Sequence, residues 1–153
     1  MLSHKSKYAL QALLVLAEEY DHGPVLISTL AERERLPKKF LEMILLDLKN
    51  HGLLRSKKGK GGGYVLAHPP IEITVGQVIR VLDGPLAPTP CVSQTAYHRC
   101  GECRDEGVCG IRLVMKDVRD ATARILDNTS LADVLRRMQE AAVGRQASPM
   151  YYI

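Results

Sequence analysis

The stretch from Ile27 to Pro69, ISTLAERERLPKKFLEMILLDLKNHGLLRSKKGKGGGYVLAHP, leaves the chain few folds to choose from. Ser28 is placed to cap a short helix through Leu30, Ala31 and Arg35, because a serine hydroxyl accepts a first-turn N–H that has no partner inside the helix. Leu36-Pro37 breaks that helix. Pro37 suits the first turn of the next one, where its missing N–H costs little, and Leu41, Ile44, Leu45 and Leu48 recur on one face of it. Gly52 stops this second helix, and LLRSKKGKGGGYVL then reads as a strand, a glycine and lysine tip, and a returning strand. Two helices around a short turn followed by a β-hairpin predict a winged helix-turn-helix.

The flanking segments supply the rest of a core. Leu10, Leu13, Leu14 and Ala17 lie on one face of a helix over Lys5 to Tyr20, which Asp21-His22-Gly23-Pro24 ends. Thr74 caps a further helix carrying Val75, Val78, Ile79 and Leu82, and Gly84-Pro85 stops it. Residues 1–84 are therefore expected to form the winged helix-turn-helix domain. No helical or strand period is sustained through 85–109, and a loop of that length calls for a reason. From Gly110 to Asp127 the residues Ile111, Val114, Met115, Val118, Ala121, Thr122 and Ile125 recur on one face, so a long amphipathic helix follows a finished core and needs a partner surface. Ser130 and Asp133 match a capping box for a last helix through Leu131, Val134, Leu135 and Met138. The expected fold is mainly α with a small β-hairpin wing, the dimerisation helices spanning 110–143 and an aperiodic tail spanning 144–153.

Composition excludes several classes. The hydrophobic fraction of 46% with 25% charged residues is that of a globular protein, and no apolar run approaches the roughly 18 residues a membrane span needs. The N-terminal residues move straight into an amphipathic pattern without the features of a secretory signal, so a cytoplasmic location with no membrane association is expected. The net charge of +4 is modest, but from Leu48 to Ile71 there is no acidic residue, while Lys49, Arg55, Lys57, Lys58 and Lys60 all fall there. A helix-turn-helix reads DNA with residues near the start of its second helix, here Lys38, Lys39, Phe40 and Glu42. Lysine donates to guanine, glutamate accepts from cytosine, and an aromatic ring packs on a thymine methyl or a sugar. Lys57, Lys58, Lys60 and Tyr64 on the glycine-rich wing suit phosphate or minor-groove contact. GKGGGY lacks the serine or threonine and the helix that a Walker phosphate loop requires, so no nucleotide site is expected.

All four cysteines fall between Cys91 and Cys109, with eight, two and five residues between successive thiols Cys91, Cys100, Cys103 and Cys109. In a reducing compartment such clustering points to metal ligands or redox-active thiols more than to structural disulfides. An iron-sulfur cluster suits thiolates on a flexible loop. Zinc accepts four thiolates too, but zinc ribbons show two short-spaced pairs and only Cys100-x-x-Cys103 is short. A thiol switch is the other reading, with Arg99 and Arg104 placed to lower the thiol pKa values. Cys100-x-x-Cys103 as a dithiol enzyme centre would need a βαβ setting that the chain does not have, so no enzymatic activity is expected.

The segments KSKYALQALLVLA, ISTLAERERLPKKFLEMILLDLKNHGLLRSKKGKGGGYVLA and ITVGQVIRVLDG, with the long helix and NTSLADVL, resemble the Rrf-type family of bacterial winged-helix transcriptional regulators through about Leu135. The resemblance implies a homodimer in which the Gly110 to Asp127 helix pairs with its mate, so that two recognition helices face a palindromic site on double-stranded DNA. It carries base reading onto Lys39, Phe40 and Glu42, and the wing contact onto Lys58. Some members hold an iron-sulfur cluster on three cysteines of the loop before the long helix, and others have no cluster and act through a protein partner. Where one type has a histidine three positions after the last cysteine, this chain has Arg112. The middle ligand is open between Cys100 and Cys103. The fourth is either the extra cysteine, the favoured reading, or a histidine: His98, or His4 in the first helix, the element from which some members take this ligand across the dimer.

Overall fold

The computed structural model describes residues 2–147. Six α-helices and one two-stranded hairpin follow in the order α1 (His4–Glu18), α2 (Ile27–Glu34), α3 (Lys38–Asn50), β1 (Leu54–Lys57), β2 (Gly63–Leu66), α4 (Val75–Asp83), α5 (Gly110–Asp127) and α6 (Leu131–Ala147). Short 3-10 turns cover Pro70–Glu72 and Pro90–Val92. Among the described residues no helix is long and apolar enough to cross a membrane.

The core forms where the apolar stripes converge. Leu13 and Leu16 of α1, Leu30 of α2, Leu41, Ile44, Leu45 and Leu48 of α3, Val78 of α4 and Leu131 of α6 are all fully buried. Burial of each such side chain stabilises the fold by about 1.5–3 kcal/mol. The start of α1 is capped by Ser3, whose hydroxyl accepts from the Ser6 N–H at 3.0 Å and also pairs with Asp83 at the end of α4. Thr74 and Gln77 form a reciprocal capping box at the start of α4.

Two helix starts differ from the sequence expectation. Helix α2 begins at Ile27 with Leu26 in the capping position, and Ser28 makes no capping bond. The cause lies 38 positions downstream. Val25 and Tyr64 exchange both backbone hydrogen bonds at 2.9 Å, adding a one-residue third strand to the wing and forcing the chain to turn at Leu26. Gly63 (φ 140°) permits this approach, since a Cβ there would collide with the Val25 carbonyl. Pro37 likewise stands just before α3 as its N-cap rather than inside its first turn.

The hairpin registers Leu54 against Leu66 and Lys57 against Gly63, which leaves Lys58 to Gly62 as the tip. Beyond α4 the chain crosses to α5, and α6 starts at the Ser130–Asp133 capping box read from sequence. Helix α6 continues through Gly144 to Ala147, where an aperiodic tail was expected, and the rest of that tail lies outside the described residues. Helix α5 has no buried residue in the single chain. Ile111, Val114, Val118 and Ile125 are 72%, 56%, 42% and 56% exposed, so its apolar face stands without a partner surface.

Candidate nucleic-acid interface and cysteine cavity

Helix α3 turns Leu41, Ile44, Leu45 and Leu48 into the core and so presents Lys38, Lys39, Glu42, Met43 and Leu46 to solvent. Two contacts fix it to α1. Lys5 Nζ donates to Asp47 Oδ2 at 2.6 Å, and the half-buried Phe40 ring meets Tyr8 edge-on with centroids 5.8 Å apart. Phe40 thus packs α3 against α1, while its sequence neighbours Lys38 and Lys39 are exposed.

A cleft of about 350 Å³ separates α3 from the wing, and Lys38, Glu42, Lys57 and Tyr64 all line it. Lys39 is exposed on α3 without lining this cleft, and Lys58 and Lys60 are exposed on the hairpin tip. Two further residues belong to this surface. Ser28, released from capping duty, lines the same cleft, and Met43 is 61% exposed four residues after Lys39 on the outer face of α3. Sequence signals for both existed: an apolar residue off the buried stripe marked Met43, and a hydroxyl two positions past the true cap, Leu26, marked Ser28.

The second site lies at the N-terminal end of α5. Cys91 sits in the Pro90–Val92 turn, which packs on α5 with Val92 buried, and its Sγ lies 3.4 Å from Thr89 Oγ1. Cys109 is the N-cap residue of α5. Between them, the Cys103 N–H donates to the Cys100 carbonyl at 3.2 Å, folding Cys100-x-x-Cys103 into a tight turn. The Tyr97 hydroxyl donates to Glu106 Oε1 at 2.6 Å and closes the base of that tip.

All four thiols are free, and together with His98, Glu102 and Arg112 they line one cavity of about 500 Å³. Glu102 brings a carboxylate that the spacing argument overlooked. His4 lies on α1 beside Tyr8, with ring centroids 6.0 Å apart, and does not line the cavity of its own chain, so it would have to come from the first helix of a second copy. The expected lowering of thiol pKa by Arg99 and Arg104 is not found at Cys103. Burial and the neighbouring Cys109 thiol push Cys103 above its ordinary value, and the Arg99 guanidinium donates to the carbonyls of Cys103 and Arg104 at 3.3 and 3.5 Å. Among the described residues no three His, Cys, Asp or Glu side chains already stand together as a metal site. The donor set nonetheless suits an iron-sulfur cluster: soft thiol ligands converge on one cavity, three of them half-buried.

The comparisons with known proteins agree with this architecture. A family model described as Rrf2, iron-dependent transcriptional regulator, matches residues 2–137. An rrf2-like HTH-type transcriptional regulator of Rhodobacter capsulatus is 41% identical over 145 residues, covering 93% of this chain and 97% of the relative. The structure of CymR, the global cysteine regulator of B. subtilis, superposes with a TM-score of 0.74 at 33% identity over 88% of this chain and 95% of that one. IscR of T. potens does so with a TM-score of 0.74 at 32% identity over 99% and 96%. These relatives are transcriptional regulators and not enzymes, and this chain belongs to the Rrf2 family of winged-helix, DNA-binding transcriptional regulators.

Proposed function

We propose that this regulator binds a palindromic operator as a homodimer in the cytoplasm, and that an iron-sulfur cluster held on the Cys91 to Cys109 loop sets its DNA affinity. The observation that carries the sensor reading is the convergence of all four thiols on one cavity at the N-terminal end of α5. Cys91, Cys103 and Cys109 are half-buried while Cys100 is exposed, which favours Cys103 as the middle ligand. Cys100, His98 and Glu102 remain within the same lining to complete the set. A bound cluster would supply iron–thiolate bonds sensitive to oxidants, nitric oxide and iron supply.

The dimer reading rests on α5. Its exposed apolar face runs into a groove of about 530 Å³ that Leu10, Ile79, Val118 and Leu126 line between α1, α4 and α5. A second copy of α5 laid along that face would bury it and set two α3 helices a fixed distance apart, as a palindrome requires. On each half-site Lys39, Glu42 and Lys38 would reach base edges, with Lys57, Lys58, Lys60 and Tyr64 on the backbone.

A thiol switch without a cluster is the second reading, because Cys103 and Cys109 line the same cavity and the Cys109 thiol is near enough to help raise the Cys103 pKa. Protein purified without oxygen separates the two. Bound iron and acid-labile sulfide with visible absorption, all lost when Cys91, Cys103 and Cys109 are replaced by serine, support the cluster. A colourless protein free of iron, or one holding zinc alone, overturns it.

A further inference from the structure

The cysteines are not held equally. Cys100 and Cys103 ride on the exposed tip, whereas the Cys91 turn is fastened to the dimer helix at two points. Arg112 Nε donates to the Cys91 carbonyl at 3.3 Å, and two turns further along α5 Arg119 Nη1 donates to the Val92 carbonyl at 2.8 Å. The Arg119 side chain is only 14% exposed, although it carries a full charge, and its other face is paired with Asp120. A guanidinium held so far from water needs its partners in place, because leaving one unmade costs the full desolvation of that group. The buried Val92 side chain seats the turn against the helix between these bonds.

The far end of α5 is fastened in the same manner to the DNA-binding core. Asp127 accepts two hydrogen bonds from Arg80 of α4, at 2.5 and 2.8 Å. The chain beyond it bonds back to the start of α4, with the Val75 N–H donating to the Thr129 carbonyl and the Leu131 N–H to the Ile73 carbonyl, both at 2.9 Å. A continuous set of directional bonds therefore runs from the Cys91 backbone along one rigid helix to the core that carries α3.

We infer that Arg119, assisted by Arg112, is a positioning residue that couples the state of the cysteine loop to the DNA-binding head, by locking the Cys91–Val92 backbone to α5. This rests on the sensor reading above. Drawing Cys91 toward or away from the other thiols shifts the Val92 carbonyl, and Arg119 passes that shift to the helix. Ligation itself does not involve Arg119, so its loss separates what the loop binds from what the DNA-binding head does.

The experiment measures operator affinity of the full-length protein twice, as purified without oxygen and after its metal is stripped, for wild type, Arg119→Met and Arg119→Lys. Iron content and the visible spectrum of each protein are recorded alongside, and circular dichroism checks folding. A wild-type ratio within the usual ~5- to 150-fold range of coupled sites should fall to within about twofold of unity in Arg119→Met, with iron content and spectrum unchanged. Arg119→Lys, which keeps one donor, should restore most of the ratio. Should Arg119→Met misfold, Arg112→Gln reads the same coupling, with a smaller ratio as the expected result. An Arg119→Met protein that keeps the wild-type ratio overturns the coupling role while leaving the sensor intact. A wild type whose affinity is the same in both states overturns the sensor reading, and the coupling with it.

Discussion

Arg80 and Asp127 form a two-bond pair, at 2.5 and 2.8 Å, that clamps the C-terminal end of α5 to α4, and the Asp127 carboxylate occupies the space a side chain at Gly76 would need. Both charged groups are about one-third exposed, so solvent screening limits the pair to about 0.5–1 kcal/mol. Alanine for glycine inside a helix ordinarily gains up to ~1 kcal/mol. Here the new methyl would displace Asp127. Gly76→Ala should therefore be more favourable in an Asp127→Ala background than in wild type by about 1 kcal/mol, as read from denaturant midpoints in a double-mutant cycle. Additive effects would mean that the carboxylate does not fill that space.

Asp133 reports the cap of α6. Its carboxylate accepts from the Ser130 N–H at 2.9 Å and the Ser130 hydroxyl at 2.7 Å, with Arg136 at 3.2 Å, and these bonds lower its pKa from 3.8 to about 2. Because the folded value lies below the unfolded one, the stabilisation is complete above the unfolded pKa and is lost as pH falls through about 2. Carboxyl chemical shifts followed against pH should show the depressed titration in wild type and a return toward the ordinary value in Ser130→Ala. An Asp133 that titrates normally in wild type would show that the cap is not formed in solution.

On the proposed reading, the wing contributes charge more than sequence reading. Lys58→Ala and Lys60→Ala should each weaken binding to all DNA alike and reduce the slope of log affinity against log salt by about 1. A loss confined to one operator sequence would instead make these lysines base readers.

Met43 projects from the outer face of α3 beside Glu42, and with α3 docked in the major groove as proposed, an apolar group there would meet thymine methyls. Replacing operator thymines by deoxyuridine, one at a time, should weaken wild-type binding by about 1 kcal/mol at one position of each half-site. Met43→Ala should be insensitive at that position. Equal sensitivity in both proteins would place Met43 away from the bases.

Much of this architecture is written in local patterns. The stripe Leu41, Ile44, Leu45, Leu48 and the lysine-rich tip between two short strands define α3 and the wing, because helix and strand periods are set by each element's own geometry. The same holds for the Thr74 and Ser130 caps, whose partners lie three residues away. What was not legible depends on distant segments. Ser28 lost its capping role to a backbone pairing between Val25 and Tyr64, and the edge-on contact of Phe40 with Tyr8 joins two helices distant in sequence. Arg112 and Arg119 read as polar residues of an amphipathic helix. Only the folded path of the loop brings the Cys91 and Val92 carbonyls to them. The four cysteines were visible at once, but their shared cavity was not, since spacing along a loop does not fix where its turns point.

Whether the proposed control of DNA binding by the cysteine loop operates is read from the operator dissociation constant of wild-type protein, loaded and metal-free, in the same buffer without oxygen. The two constants should differ by at least ~5-fold, with the difference abolished when Cys91, Cys103 and Cys109 are serine. Indistinguishable constants in the two states would contradict it.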